Sequence, residues 1–147
     1  MSDALSSDSR FAVFTVSELD HALSQSRRVY LSGHLATPQE VMPYVDIEPN
    51  EMGISQYDSF TCDKPHVHDV NHEFNYIAEG ETHVLDIDRM EEHVLPKGSV
   101  FILQPGVPYV SKHTAGTKVV FFKAPGGNDK RVIEVTDAVR TWMETPI

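Results

Sequence analysis

From Ile54 to Lys123 the chain is cut into short apolar segments by glycine and proline at intervals of about ten residues. The cuts are Gly80, Pro96-Lys97-Gly98, Pro105-Gly106, Ala115-Gly116 and Pro125-Gly126-Gly127. Between them lie Ile54 to Thr61, Glu73 to Ala78, Thr82 to Asp88, Glu92 to Leu95, Ser99 to Leu103, Tyr109 to His113 and Thr117 to Lys123. A doubly wound parallel fold needs long helices between its strands, and this spacing leaves no room for them. Many short strands with even turns predict an all-β chain, either a β-sandwich or a closed antiparallel barrel.

The flanks read differently. Phe11 to Val16 predicts a short strand, and Ser17 with Glu18 and Asp20 predicts a short helix ending near Ser26. Val29 to Leu35 reads as another strand, with a turn at Thr37-Pro38-Gln39-Glu40 and another at Asn50 to Gly53. Asp137 to Met143 predicts a terminal helix capped by Thr136 or Asp137, with Val139, Trp142 and Met143 packed on the outside of the β-structure. No internal repeat and no low-complexity linker divides the 147 residues, so one domain is expected. Residues 1–16 form its N-terminal arm and residues 136–147 its closing helix.

Charge excludes whole classes of partner. The formal net charge is −10, which disfavours nucleic acid and anionic membrane surfaces, because both need clustered Lys and Arg. One cysteine, Cys62, forms no internal disulfide. Apolar runs are too short to cross a bilayer, and the polar start from Met1 to Arg10 lacks the pattern of a leader, so a cytoplasmic location is expected. The acidity is concentrated: Asp46 to Glu92 carries 13 acidic residues against Lys64 and Arg89. The same stretch holds five of the eight histidines, from His66 to His93, and together these predict a cation-attracting surface.

Within it stand Pro65-His66-Val67-His68 and Asn71-His72-Glu73. If His66 and His68 share a strand, alternation places both imidazoles on one face. In the next strand, alternation puts Glu73, Asn75 and Ile77 on one face and His72, Phe74 and Tyr76 on the other. Two imidazoles and a carboxylate converging on one point make a facial set for a divalent metal with positions open to water or substrate. A bulge that turned His72 inward would add an acid or base. Tyr109, Ser111 and His113 share one face of a later strand.

At these residues the chain resembles the cupins. Their first motif reads His-x-His, four residues, Glu, six residues, Gly, and it falls on His66, His68, Glu73 and Gly80. Their second motif is matched by Gly98, Pro105, Gly106 and Pro108, with Pro105 directly before Gly106. The resemblance spans roughly Ile54 to Phe122. It implies a cupin-type double-stranded β-helix, a jelly-roll barrel with short flanking helices, with a metal site inside its wider mouth and a homodimer as the assembly. His66, His68 and Glu73 carry over as ligands. The position of the last histidine ligand holds Tyr109, and the family's Asn position holds His113. Three arrangements stay open: His113 replaces the lost ligand, Tyr109 ligates or hydrogen-bonds a substrate, or the shell keeps only His66, His68 and Glu73.

The function implied is a small-molecule enzyme dependent on a divalent transition metal (Fe, Mn, Ni or Zn). It would act on a polar, oxygen-rich metabolite in an isomerase, epimerase or dioxygenase reaction, with His72, Tyr109 and His113 as candidate catalytic groups. The alternative is a non-catalytic cupin module that binds a metal or a small ligand. Lys64, Lys97 and Lys112 are the only basic residues near the motifs, which argues against a highly phosphorylated substrate.

Overall fold

A computed structural model describes residues 10–147. Residues 1–9 of the expected arm lie outside it, and residues 10–15 are irregular instead of forming the expected strand from Phe11. The reason is local. Thr15 is the N-cap of α1 (Val16–Gln25): its side chain accepts from the Glu18 amide and Glu18 reaches back to the Thr15 amide. Threonine, not Ser17, therefore starts the helix.

Eleven strands follow: β1 (Arg28–Ser32), β2 (Glu51–Tyr57), β3 (Thr61–Cys62), β4 (His66–His68), β5 (His72–Glu79), β6 (Glu81–Asp86), β7 (Glu91–Pro96), β8 (Val100–Leu103), β9 (Tyr109–His113), β10 (Thr117–Ala124) and β11 (Lys130–Val132). The chain closes on α2 (Asp137–Glu144), capped by Thr136. One sheet has the order β1-β2-β10-β5-β8, and the other β11-β4-β9-β6-β7 with β3 also paired to β9. All named strand pairs are antiparallel. The expected strand from Val29 ends at Ser32, where Val45 makes a single bridge to it.

The two sheets face each other across side chains of both. Val84 and Tyr109 from one meet Leu103 from the other, and Tyr57, Ile77 and Val119 meet Leu95. Alternation sorts the residues of β1: Val29 and Leu31 pack under Ala22 and Leu23 of α1, whereas Arg28 and Tyr30 turn between the sheets. On the far side, Val139, Trp142 and Met143 of α2 pack on Leu85 and Val110, as the sequence predicts. Lys112 fastens this helix. Its Nζ donates to the Trp142 and Thr145 carbonyls at 2.7 Å each and lies 4.0 Å from the centre of the Trp142 ring.

Two glycines are dictated by close approach. Gly80 turns β5 into β6 with φ +77, and a Cβ there would lie 2.6 Å from the Thr117 Cα. At Gly53 a Cβ would come within 2.5 Å of both Phe121 Cζ and the Val29 carbonyl. Gly53→Ala is therefore expected to lower stability by about 1–3 kcal/mol, the usual range for overpacking. Urea unfolding measures this, and an unchanged midpoint would mean that Phe121 has room to move.

The outer face of the first sheet carries an apolar row. Phe122 stands opposite both Met52 and Phe74, and Phe74 opposite Ile102, all at least one-third exposed. Among the described residues no helix is long and apolar enough to cross a membrane.

Candidate active site

β4 is three residues long and wholly buried, because β9 flanks it on one edge and β11 on the other. His66 and His68 turn into the space between the sheets. Glu73 and Asn75 of β5 enter it from the opposite sheet, as alternation predicts. Together they line a cavity of about 350 Å³.

The two histidines are held in the same manner. His66 Nδ1 lies 2.6 Å from the Lys64 carbonyl, and His68 Nδ1 lies 2.7 Å from Asp129 Oδ1. Asp129 is itself fixed by the Val70 and Asn71 amides, each 2.8 Å from Oδ2. With Nδ1 engaged, each ring has Nε2 left for another partner. His68 Nε2 is buried 2.7 Å from Glu73 Oε2, but its N–H direction misses that oxygen, so it makes no aligned hydrogen bond. Burial alone would push the His68 pKa down, yet the Glu73 and Asp129 carboxylates outweigh it and leave it raised. Both carboxylates are lowered in return, against the opposing effect of burial. His66 is pushed the other way, by burial first and then by the charges of Lys130 and His68.

The resemblance implies a divalent metal here, and the donor chemistry fits one. Histidines that ligate metals characteristically give their second nitrogen to a carboxylate or backbone carbonyl, and His66 and His68 do so. The orphaned His68 Nε2 beside Glu73 has the character of a ligand pair. Among the described residues, however, no three His, Cys, Asp or Glu side chains are already gathered into a metal-holding group.

A second polar unit occupies another part of the cavity wall. His113 is stacked on Tyr57 with ring centres 3.9 Å apart. Its Nδ1 meets Thr82 Oγ1 at 2.8 Å, and its Nε2 meets Asp63 Oδ2 at 3.1 Å. Ser111 Oγ donates to the same Asp63 oxygen at 3.0 Å. Burial raises the Asp63 pKa, but hydrogen bonds from His113 and Ser111 and the charge of Arg28 bring it down to about 2. Tyr109 lies between the two units, its ring centre 4.4 Å from that of His66. Burial, then the charges of Glu73 and Asp63, push its pKa well up, so it stays a neutral phenol.

The expected residues thus divide. His66, His68, Glu73 and Tyr109 come together. His113 lines the same cavity with both ring nitrogens committed to protein partners, which does not suit it to replace a ligand. His72 is exposed on the outer face of β5 and does not line the cavity, because no bulge disturbs the alternation there. The cavity itself is richer in basic groups than the surrounding sequence: Arg27, Arg28, Lys123 and Lys130 line it beside Asp63 and Glu73. Lys97 pairs instead with Glu79 on the surface, and Lys112 holds α2. Sequence reasoning missed Asp63, Asp129 and Arg28. For Arg28 the signal was present, in the alternation of Arg28-Val29-Tyr30-Leu31.

Two facing antiparallel sheets with a polar, histidine-lined cavity between them define a small jelly roll. The AraC-like ligand binding domain family matches residues 48–116. A search of curated protein sequences found no match. Among solved structures the chain is similar to KdgF from Halomonas sp., 15% identical with 69% of this chain and 80% of that one covered and a TM-score of 0.54. It is similar to an uncharacterized conserved protein with a double-stranded β-helix domain from Klebsiella pneumoniae, 18% identical, covering 60% and 77%, with a TM-score of 0.52. It is also similar to PAC13, a Streptomyces nucleoside dehydratase, 11% identical, covering 63% and 75%, with a TM-score of 0.51. The chain has the double-stranded β-helix fold.

Proposed function

We propose that the cavity binds a small polar, oxygen-rich metabolite and that His66, His68 and Glu73 hold a divalent transition metal (Fe, Mn, Ni or Zn) beside it. The observation that carries this reading is the paired engagement of Nδ1 on His66 and His68, which leaves both Nε2 atoms for another partner, that of His68 2.7 Å from the Glu73 carboxylate. That fold relatives include a dehydratase supports an enzyme of isomerase, epimerase or dehydratase type. A bound metal would act as a Lewis acid on a substrate oxygen. The chain's own groups do the rest. Tyr109, a neutral phenol, donates a hydrogen bond to a ligand oxygen near His66. Asp63 holds His113 by its Nε2 and so sets the ring's orientation at the wall. Asp129 holds the His68 proton at Nδ1, which keeps Nε2 for the site. The Tyr57 ring covers one face of the His113 imidazole.

Metal analysis of protein purified without added metal tests the reading. Near one divalent ion per chain is expected in the wild type and after His113→Ala, with strong loss after His68→Ala or Glu73→Ala. Unchanged occupancy in both of the latter variants would sink it. A second reading, a module that binds its ligand without turnover, is favoured by the match to a ligand binding domain over residues 48–116. It predicts that a bound metabolite is recovered unaltered after long incubation.

A further inference from the structure

Four of the chain's 12 basic residues line one cavity, in a protein whose net charge is −10. Only Lys123 among them is matched, by Glu51 Oε2 at 2.8 Å. Arg27, Arg28 and Lys130 form no ion pair among the described residues.

Arg28 is the most constrained of the three. Its Nε donates to Ser55 Oγ at 3.0 Å, and its guanidinium lies 4.9 Å from the centre of the Phe121 ring. These contacts fix the plane of the group while leaving its terminal amino groups without a carboxylate. Arg28 lowers both Asp63 and Glu73 by its charge yet is bonded to neither. On β5 of the same sheet and lining the same cavity, Asn75 is only 5% exposed, and its Nδ2 has no hydrogen-bond partner. A buried amide donor without an acceptor costs stability unless a ligand supplies one.

We infer that the ligand carries a carboxylate, which seats on the Arg28 guanidinium, a group without a carboxylate partner in the protein, while Asn75 Nδ2 donates to a ligand oxygen. The fork of an arginine matches a planar carboxylate with two parallel hydrogen bonds. A phosphate dianion fits less well, because Asp63 and Glu73 stand in the same cavity and repel the second charge. This names the substrate class for the site proposed above and rests on that site binding a small metabolite.

The test is calorimetric titration of hydroxy acids against their neutral polyols: gluconate with sorbitol, tartrate with threitol, glycerate with glycerol. Inorganic phosphate is the further arm. The protein is stripped of metal by chelation and dialysed, so that binding reports on Arg28 and not on an ion. At least one acid is expected to bind more tightly than its polyol and than phosphate. Arg28→Gln is expected to weaken it by about 10- to 100-fold, the scale of a charge-assisted hydrogen bond, and Arg28→Lys by less. Circular dichroism confirms that both variants fold. The inference is overturned if no acid outbinds its polyol, if phosphate outbinds every acid, or if Arg28→Gln leaves the affinity unchanged. Failure of the metal reading shows elsewhere, as unchanged metal occupancy in the His68 and Glu73 variants, and does not bear on these titrations.

Discussion

Replacing Lys123 with alanine is expected to destabilise the protein by about 3–5 kcal/mol, the usual cost of leaving one member of a buried ion pair alone. Lys123 of β10 stands directly opposite Glu51 of β2, and the two side chains are 8% and 6% exposed. Nζ lies 2.8 Å from Oε2, although the donor geometry is not that of an aligned hydrogen bond. Attraction between the charges is therefore nearly all that offsets taking Glu51 out of water. Lys123→Ala removes the partner and leaves the carboxylate in place. Lys123→Met with Glu51→Leu removes both charges while keeping the volume, and is expected to unfold within about 1 kcal/mol of wild type or above it. Urea midpoints at neutral pH decide the matter. Lys123→Ala at wild-type stability would show that water reaches Glu51.

Much of the fold was legible because its signals are local. Pro96-Lys97-Gly98, Pro105-Gly106 and Ala115-Gly116 separate β7, β8, β9 and β10 where expected, since a turn residue acts over a few positions. The Tyr109 to His113 segment coincides with β9. The misreadings come from competing local signals. An apolar run at Phe11 to Val16 reads as a strand, but the Thr15–Glu18 capping box commits the backbone to a helix first. β11 was invisible because Lys130-Arg131-Val132 has no strand-like alternation; it is extended because β4 offers it an edge.

The site was legible to the same depth. His66, His68 and Glu73 lie on consecutive strands, β4 and β5, joined by a short loop that crosses from one sheet to the other, so close spacing marked them as a group. The groups that hold them do not lie so close. Asp129 is 61 residues from His68 and Asp63 is 50 from His113. The alternation of β1 marks Arg28 as facing away from Val29 and Leu31, but that it meets this cavity depends on β1 joining β2, a long-range pairing. Most of the acidity of Asp46 to Glu92 lies elsewhere: Glu79, Glu91 and Glu92 belong to the same stretch as Glu73 but face solvent, a solvated acidic face.

Asp63→Asn is expected to cost about 2 kcal/mol at neutral pH and almost nothing near pH 2. Asp63 has a folded pKa of about 2 against an ordinary value of 3.8. A carboxylate with a depressed folded pKa stabilises the native state fully above its unfolded pKa, and that contribution fades as pH falls through the folded one. The window is therefore between about pH 4 and pH 2. Asparagine keeps the shape and one acceptor for Ser111 or His113 but carries no charge, so it removes the pH-dependent part and little else. Glu73 and Asp129 are lowered as well and also lose their contribution in acid. Their loss occurs in both proteins and cancels in the difference between wild type and variant. Urea unfolding of the two proteins from pH 7 down to pH 2.5 gives that difference directly. A gap that closes through the acid range assigns the stabilisation to the Asp63 charge held by His113, Ser111 and Arg28. A gap of constant size would assign it to packing instead, and no gap at pH 7 would mean that burial cancels those contacts.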